Sequence, residues 1–138
     1  MNEDHRKHLE FIQQVVTRAN VNSFQLKGWT VTIVAALAAL SAGDAKPQFA
    51  WIAAAAVVFF WLLDAYYFRL ERSYRGLYDH LRVMTDEAID HLNLPYSMLP
   101  KSFGVRPERL LRVAFRPTVF AFHFPLFVCA LLVRYLPS

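Results

Sequence analysis

The chain has 138 residues, 56% hydrophobic and 15% aromatic, with a mean hydropathy of +0.25. Charged residues make up 19%, below the roughly 25% usual for a soluble domain, and the net charge is +4. These values argue against two soluble domains, and the single cysteine, Cys129, excludes an intrachain disulfide.

The first 27 residues predict a cytosolic amphipathic helix. Asn2 or Asp4 can cap it, and Glu3 and Asp4 suit the positive end of the helix dipole. Leu9, Ile12, Val16 and Ala19 recur at three- and four-residue spacing, with Arg6, Gln13, Gln14 and Arg18 on the other face. Nothing breaks the helix before Gly28, which marks a close helix contact or a slight bend.

Residues 28–68 predict a transmembrane hairpin. Its first apolar block, Trp29–Ala42, is short on its own. Starting near Phe24, with Lys27 snorkelling to the interface, it reaches the roughly 20 residues that a bilayer core requires. The run Ala35, Ala36, Ala38, Ala39 permits close helix packing. A short polar turn, Gly43 to Pro47, leads into the second block, Phe49–Phe68, with Trp51 near one interface and Trp61, Tyr66 and Tyr67 near the other.

Residues 69–116 predict a cytosolic helical region. The second helix continues to about Arg82, and a further helix starts at Thr85 with Asp86 and Glu87 in its first turn. A loop covers residues 93–106. Pro107 then opens an interfacial helix with Arg109, Arg112 and Arg116 on one face. Residues 117–138 predict the third span, entered at Pro117 and kinked at Pro125. The expected fold is therefore an all-α integral membrane protein with three transmembrane helices and long cytosolic extensions.

Arginine and lysine orient the chain. The hairpin turn holds only Lys46, whereas the segment after the second span holds Arg69, Arg72, Arg75, Arg82, Lys101, Arg106, Arg109, Arg112 and Arg116. The positive-inside rule then puts the N-terminus in the cytosol and the C-terminus outside.

Asp64 is the sharpest single residue, since a carboxylate within a span is costly unless paired or hydrated. Lys27 enters the neighbouring span at similar depth and can pair with it; Arg69 is a second candidate partner. Asn22 and Ser23, with Asn20 and Gln25, form a polar patch just before the first span. Asp64, Lys27, Asn22 and Ser23 are thus the candidate gate or pore residues, and a paired, purely structural acid is the competing reading. His123, inside the third span, reads as a hydrogen-bonded packing histidine, with a proton relay as the competing reading.

The candidate ligand residues are Arg69, Arg72, Arg75, Tyr74, Tyr78, Arg109 and Arg112. Arginine holds phosphate bidentately and tyrosine can stack a base, so a nucleotide or short oligonucleotide is physically suited. The competing account is topology plus lipid headgroup contact. His5 with His8, and Asp90 with His91, do not complete a metal-ligand set, so no metal or cofactor is expected. Phosphate-loop, dinucleotide, serine-hydrolase and zinc-protease motifs are absent, and no enzyme activity is expected.

The stretch Asn22–Trp29, the run Leu63-Asp64-Ala65-Tyr66-Tyr67, Glu71-Arg72 and Leu77-Tyr78-Asp79 resemble small bacterial membrane proteins encoded beside nucleotidyltransferases in antiphage defence loci, of the Hailong type. The resemblance covers roughly residues 5–82. It implies an oligomeric, channel-like effector of the bacterial inner membrane, controlled by a nucleotide-derived signal that a partner nucleotidyltransferase makes, whose action depolarises that membrane. No ligand-binding residue of that family is carried over individually. Homo-oligomerisation is also expected on size, because three spans enclose too little volume for an aqueous pore. The alternative function is a non-conducting membrane scaffold for a cytosolic partner.

Overall fold

The computed structural model describes residues 2–42, 48–91 and 97–133, and every regular element among them is helical. In order these are α1 (Glu3–Ala42), α2 (Gln48–Leu81), α3 (Asp86–His91), a 3-10 turn at Pro100–Phe103, α4 (Leu110–Ala114) and α5 (Pro117–Leu132).

At 1.5 Å per residue, the 40 residues of α1 and the 34 of α2 run about 60 and 51 Å. Both are long and apolar enough to cross a membrane and still leave several turns beyond it. The 16 residues of α5 span only about 24 Å, and residues 134–138 of the expected third span lie outside the described residues. The hairpin turn, Gly43 to Pro47, also lies outside them.

The helices α1 and α2 pack antiparallel along most of their length. At one end Leu9 and Ile12 cluster with Leu77, Leu81 and Phe103. At the other, Val34 clusters with Ala53, Ala54, Val57 and Ala130. Between them Ala65 packs with Val113, Ala114 and Val119, which brings α4 and α5 onto α2. The buried positions Ala50, Ala53, Ala54 and Val57 of α2 follow helical spacing, so small side chains let the neighbouring helices approach.

Three expectations change here. Close packing uses these α2 alanines; Ala35, Ala36 and Ala39 of α1 are exposed, because the α1 face toward α2 carries Thr30 and Val34 instead. Gly28 is a mid-helix residue of α1 and makes no close contact, since a Cβ added there would meet nothing within 4 Å. Pro107 does not open a helix. Arg109 is extended (φ −66°, ψ 135°) and α4 begins only at Leu110, so Arg109, Arg112 and Arg116 do not share one helical face. Beside it, the Glu108 carboxylate is held by Arg116 at 2.9 Å and lies 3.3 Å from Arg72. Pro117 is the first residue of α5, as the sequence suggests, and Pro125 lies within it.

The loop before α4 is pinned onto α2. Gly104, at φ +76°, closes the 3-10 turn with its N–H on the Lys101 carbonyl. Only glycine adopts that backbone without strain. The turn buries Phe103, and Val105 sits over Gly76, where a Cβ would come within 3.2 Å of it.

Candidate functional site

A polar cluster interrupts the apolar interior midway along the hairpin. Asp64 is fully buried, and Lys27 of α1 reaches it with Nζ 2.7 Å from Oδ2 and 2.9 Å from Oδ1. The contact with Oδ1 has hydrogen-bond alignment; Oδ2 lacks an aligned hydrogen bond and is met as an ion pair. Ser23, one turn before Lys27, donates its hydroxyl to Oδ1 and accepts from Lys27 Nζ at 2.9 Å. Asp64 is therefore paired with Lys27, and Ser23 completes the set. Asn22, beside Ser23 in sequence, is half-buried.

The α5 helix closes the third side of this cluster. His123 is fully buried, with Nδ1 donating to the Val119 carbonyl at 3.1 Å and lying 3.8 Å from Asp64 Oδ2. Its Nε2 has no hydrogen-bond partner among the described residues. Trp61 stacks on His123, ring centroids 6.2 Å apart with 5° between planes, and donates Nε1–H to the Ala114 carbonyl at 2.9 Å. Lys27 also lies 5.9 Å from the centre of the Phe122 ring. Burial of this kind strengthens each contact, and a bare carboxylate there would be costly.

A groove of 650 Å³ opens between α1 and α2 on the N-terminal side of the Lys27–Asp64 pair, which locks the two helices together. The α1 wall carries Gln13, Thr17, Asn20 and Phe24; the α2 wall carries Arg75, Tyr78 and Asp79. Phe24 stands 78% exposed at its rim, only three residues from Lys27. Arg75 donates Nε–H to Glu71 at 2.7 Å, which leaves the rest of its guanidinium fork available. Thus one arginine, one carboxylate, two aromatic rings and two carboxamides face a space within the usual range for small-ligand sites.

The candidate ligand residues do not form one surface. Arg75 and Tyr78 line this groove. Arg69, Arg72 and Tyr74 point to a different flank of α2, toward the 97–113 segment. Arg109 and Arg112 are exposed around α4.

The N-terminal end carries a cluster that residue spacing did not reveal. His5 Nδ1 lies 2.9 Å from Asp86 Oδ1, and Nε2 lies 3.0 Å from the Leu81 carbonyl. Asp86 also accepts from the Asn2 N–H at 2.8 Å, and Asn2 Oδ1 accepts from the His5 N–H. The hydrogen bond from His5 holds the Asp86 carboxyl below its ordinary value. His8 Nε2 meets the Ser97 carbonyl at 2.9 Å; burial lowers the His8 imidazole despite that bond, and nearby His5 lowers it further. The only sequence signal was that His5, His8, Leu9 and Ile12 share one helical face.

No protein-family model, characterised protein or solved structure matches this chain. The arrangement itself therefore carries the functional reading. It combines a buried ion pair joining two long helices with a ligand-sized groove on the same helices.

Proposed function

We propose that the chain is a helical integral membrane protein of the bacterial inner membrane that acts as a ligand-gated, homo-oligomeric effector. In this reading α1, α2 and α5 cross the bilayer, the N-terminus and residues 69–116 face the cytosol, and an ion path forms between copies. The outward apolar surface supports membrane placement: Trp29, Trp51 and Phe59 are 63%, 57% and 62% exposed, while the buried positions of the same helices include many small or polar residues, among them Ala50, Ala53, Ala54, Thr30 and Asp64. Water would penalise that inversion, whereas lipid or a second copy would not.

A nucleotide-type ligand, a mononucleotide or a short oligonucleotide end, is the proposed signal. The observation that carries it is continuity along α1 between Phe24 of the groove and Lys27 of the lock. Arg75 suits a phosphate, Phe24 and Tyr78 suit a base, and Gln13 and Asn20 suit its hydrogen-bonding edge. A ligand wedged between α1 and α2 would bias the helix pair that Lys27 and Asp64 hold together. In a cell, opening such a path would depolarise the membrane, as in antiphage defence.

The test is ion flux from liposomes holding the purified protein, with mononucleotides and short oligonucleotides added. Flux that responds to one of these supports the reading. Folded protein that conducts under no ligand condition would defeat it. Complete burial of Asp64 within one copy favours a second reading, a non-conducting scaffold for a cytosolic partner. Cross-linking would then trap a heteromeric complex, and Asp64→Ala would leave host toxicity unchanged.

A further inference from the structure

Two basic residues that do not reach the α1–α2 groove meet at a second cleft, of 300 Å³, between α2 and the 97–109 segment. Arg69 and Lys101 both line it, and neither has a carboxylate partner among the described residues. An adjoining cleft shares Arg69 and Ser73 with it and adds Arg72 and Arg106. The one acid in these walls, Glu108, is already engaged by Arg72 and Arg116. Positive charge here is thus concentrated and largely uncompensated, unlike in the groove, where Asp79 and Glu71 sit beside Arg75.

The rest of the second cleft is apolar. Leu70, Leu99, Pro100 and the rings of Tyr66 and Tyr74 form its walls, and Leu99 is 66% exposed. Its depth is also distinctive. Arg69 follows immediately on the apolar block that ends at Phe68, so the cleft sits where a bilayer's hydrocarbon gives way to headgroups. A soluble anion would satisfy the cations but leave the walls wet. An anion carrying an acyl tail satisfies both.

We propose that this cleft binds the phosphodiester of an anionic membrane phospholipid, with Arg69 and Lys101 on the phosphate and the apolar walls on the first carbons of its chains. Arg69 supplies the planar fork that phosphate oxygens match, and Lys101 adds a point charge from the loop side. The proposal rests on the membrane placement argued above, and it is independent of any ligand in the groove. Lipid bound there would clamp the 97–109 segment against α2.

The experiment is native mass spectrometry of the full chain in mild detergent, offered phosphatidylglycerol, phosphatidylcholine or glycerol 1-phosphate. Phosphatidylglycerol is expected to be retained in preference to phosphatidylcholine, and glycerol 1-phosphate is not expected to displace it. Each of Arg69→Gln and Lys101→Gln should weaken retention about fivefold, and the pair about 30-fold. Arg18→Gln, which removes an exposed charge on α1, should leave it unchanged. Lys101→Gln alters only an exposed side chain of the 3-10 turn, whose backbone bond to Gly104 it leaves in place, so its result stands even if changes in α2 disturb folding. Equal retention of the two lipids, or undiminished retention by the double variant, would overturn the proposal. Displacement by glycerol 1-phosphate at equal concentration would overturn the lipid assignment in favour of a soluble phosphate. Recovery of the chain in the soluble fraction would overturn the membrane reading together with this one; loss of lipid selectivity in an integral protein would overturn this one alone.

Discussion

Lys27 and Asp64 meet across the hairpin with Nζ 2.7 Å from Oδ2, and the carboxylate is completely shielded while the lysine keeps a quarter of its side chain in the open. The asymmetry predicts unequal mutational costs. Lys27→Met strands a buried carboxylate and should cost about 3 kcal/mol, the lower end for breaking a buried pair. The double change Lys27→Met with Asp64→Leu removes both charges and should recover most of that loss. Unfolding in detergent, followed by tryptophan fluorescence, compares them. A double variant no more stable than Lys27→Met would contradict the lock.

Trp61 joins α2 to α4 and α5 through one hydrogen bond and one stacked ring. Trp61→Phe keeps an aromatic ring beside His123 but deprives the Ala114 carbonyl of its donor. The expected cost is about 1 kcal/mol. Amide exchange at α4 should quicken, while that of the Leu9–Leu77 cluster should stay unchanged. Uniform quickening throughout the bundle would show that the contact is not local.

Gly76 is a close-approach site. Alanine there gains up to about 1 kcal/mol of helix propensity, offset by the 3.2 Å approach to Val105, so Gly76→Ala should be near neutral. Gly76→Leu has no such room and should lift the 97–109 segment, read as faster proteolysis there. Adding Val105→Ala should restore part of the protection. Unchanged proteolysis of Gly76→Leu would mean that the segment is held elsewhere.

Acid should loosen the N-terminal end of α1. The lowered His8 favours proton uptake by the unfolded chain: its penalty is absent well above pH 6.5 and grows as pH falls below it. The lowered Asp86 carboxyl acts in the same direction at more acid pH. Its contribution is present above the ordinary value of 3.8 and is lost as pH falls through the depressed value. Proteolysis or corrected amide exchange at residues 2–12 should therefore increase between pH 7.5 and 5.5, and His8→Phe should flatten that rise. An unaltered profile in His8→Phe would assign the effect to another group.

Arg75 and Tyr78 provide the functional test of the groove. If the flux assay finds an activating nucleotide, Arg75→Gln should raise the concentration needed by about tenfold, the loss of one charge-assisted bond. Tyr78→Leu keeps apolar packing in the Leu9 cluster while removing the ring from the groove, and should do likewise. Arg112→Gln, outside the groove, should have no effect on that concentration. Equal responses in all three variants would move the ligand away from the groove.

Much of this architecture is legible in the residues themselves. Alternation at three- and four-residue spacing marks the buried face of α1, and an unbroken run from Gln48 to Leu81 marks α2. An antiparallel hairpin then brings Lys27 and Asp64 to similar depth, so their pairing follows from counting residues out from the turn. Pro117 announces the start of α5 because a missing N–H is harmless at a first helical turn.

Other relationships depend on partners that no local pattern names. Helical period assigns a residue to a face of its own helix, and says nothing about what that face meets. Ala35 and Ala53 are equally small, yet only Ala53 is buried, because α5 reaches it through Ala130 and Phe127. Arg69 and Arg75 look alike in sequence, yet the two flanks of α2 face different neighbours, the 97–109 loop and α1. Glu108, just before α4, meets Arg72 of α2 as well as Arg116, and the helical period of α2 does not name that partner. By itself the chain determined its two long helices, their apolar lengths and the charge bias between their ends, since these depend on neighbours along the backbone. Only the tertiary structure decided which arginines share a cleft and which histidine meets Asp86, because those contacts form across gaps that the backbone pattern does not encode.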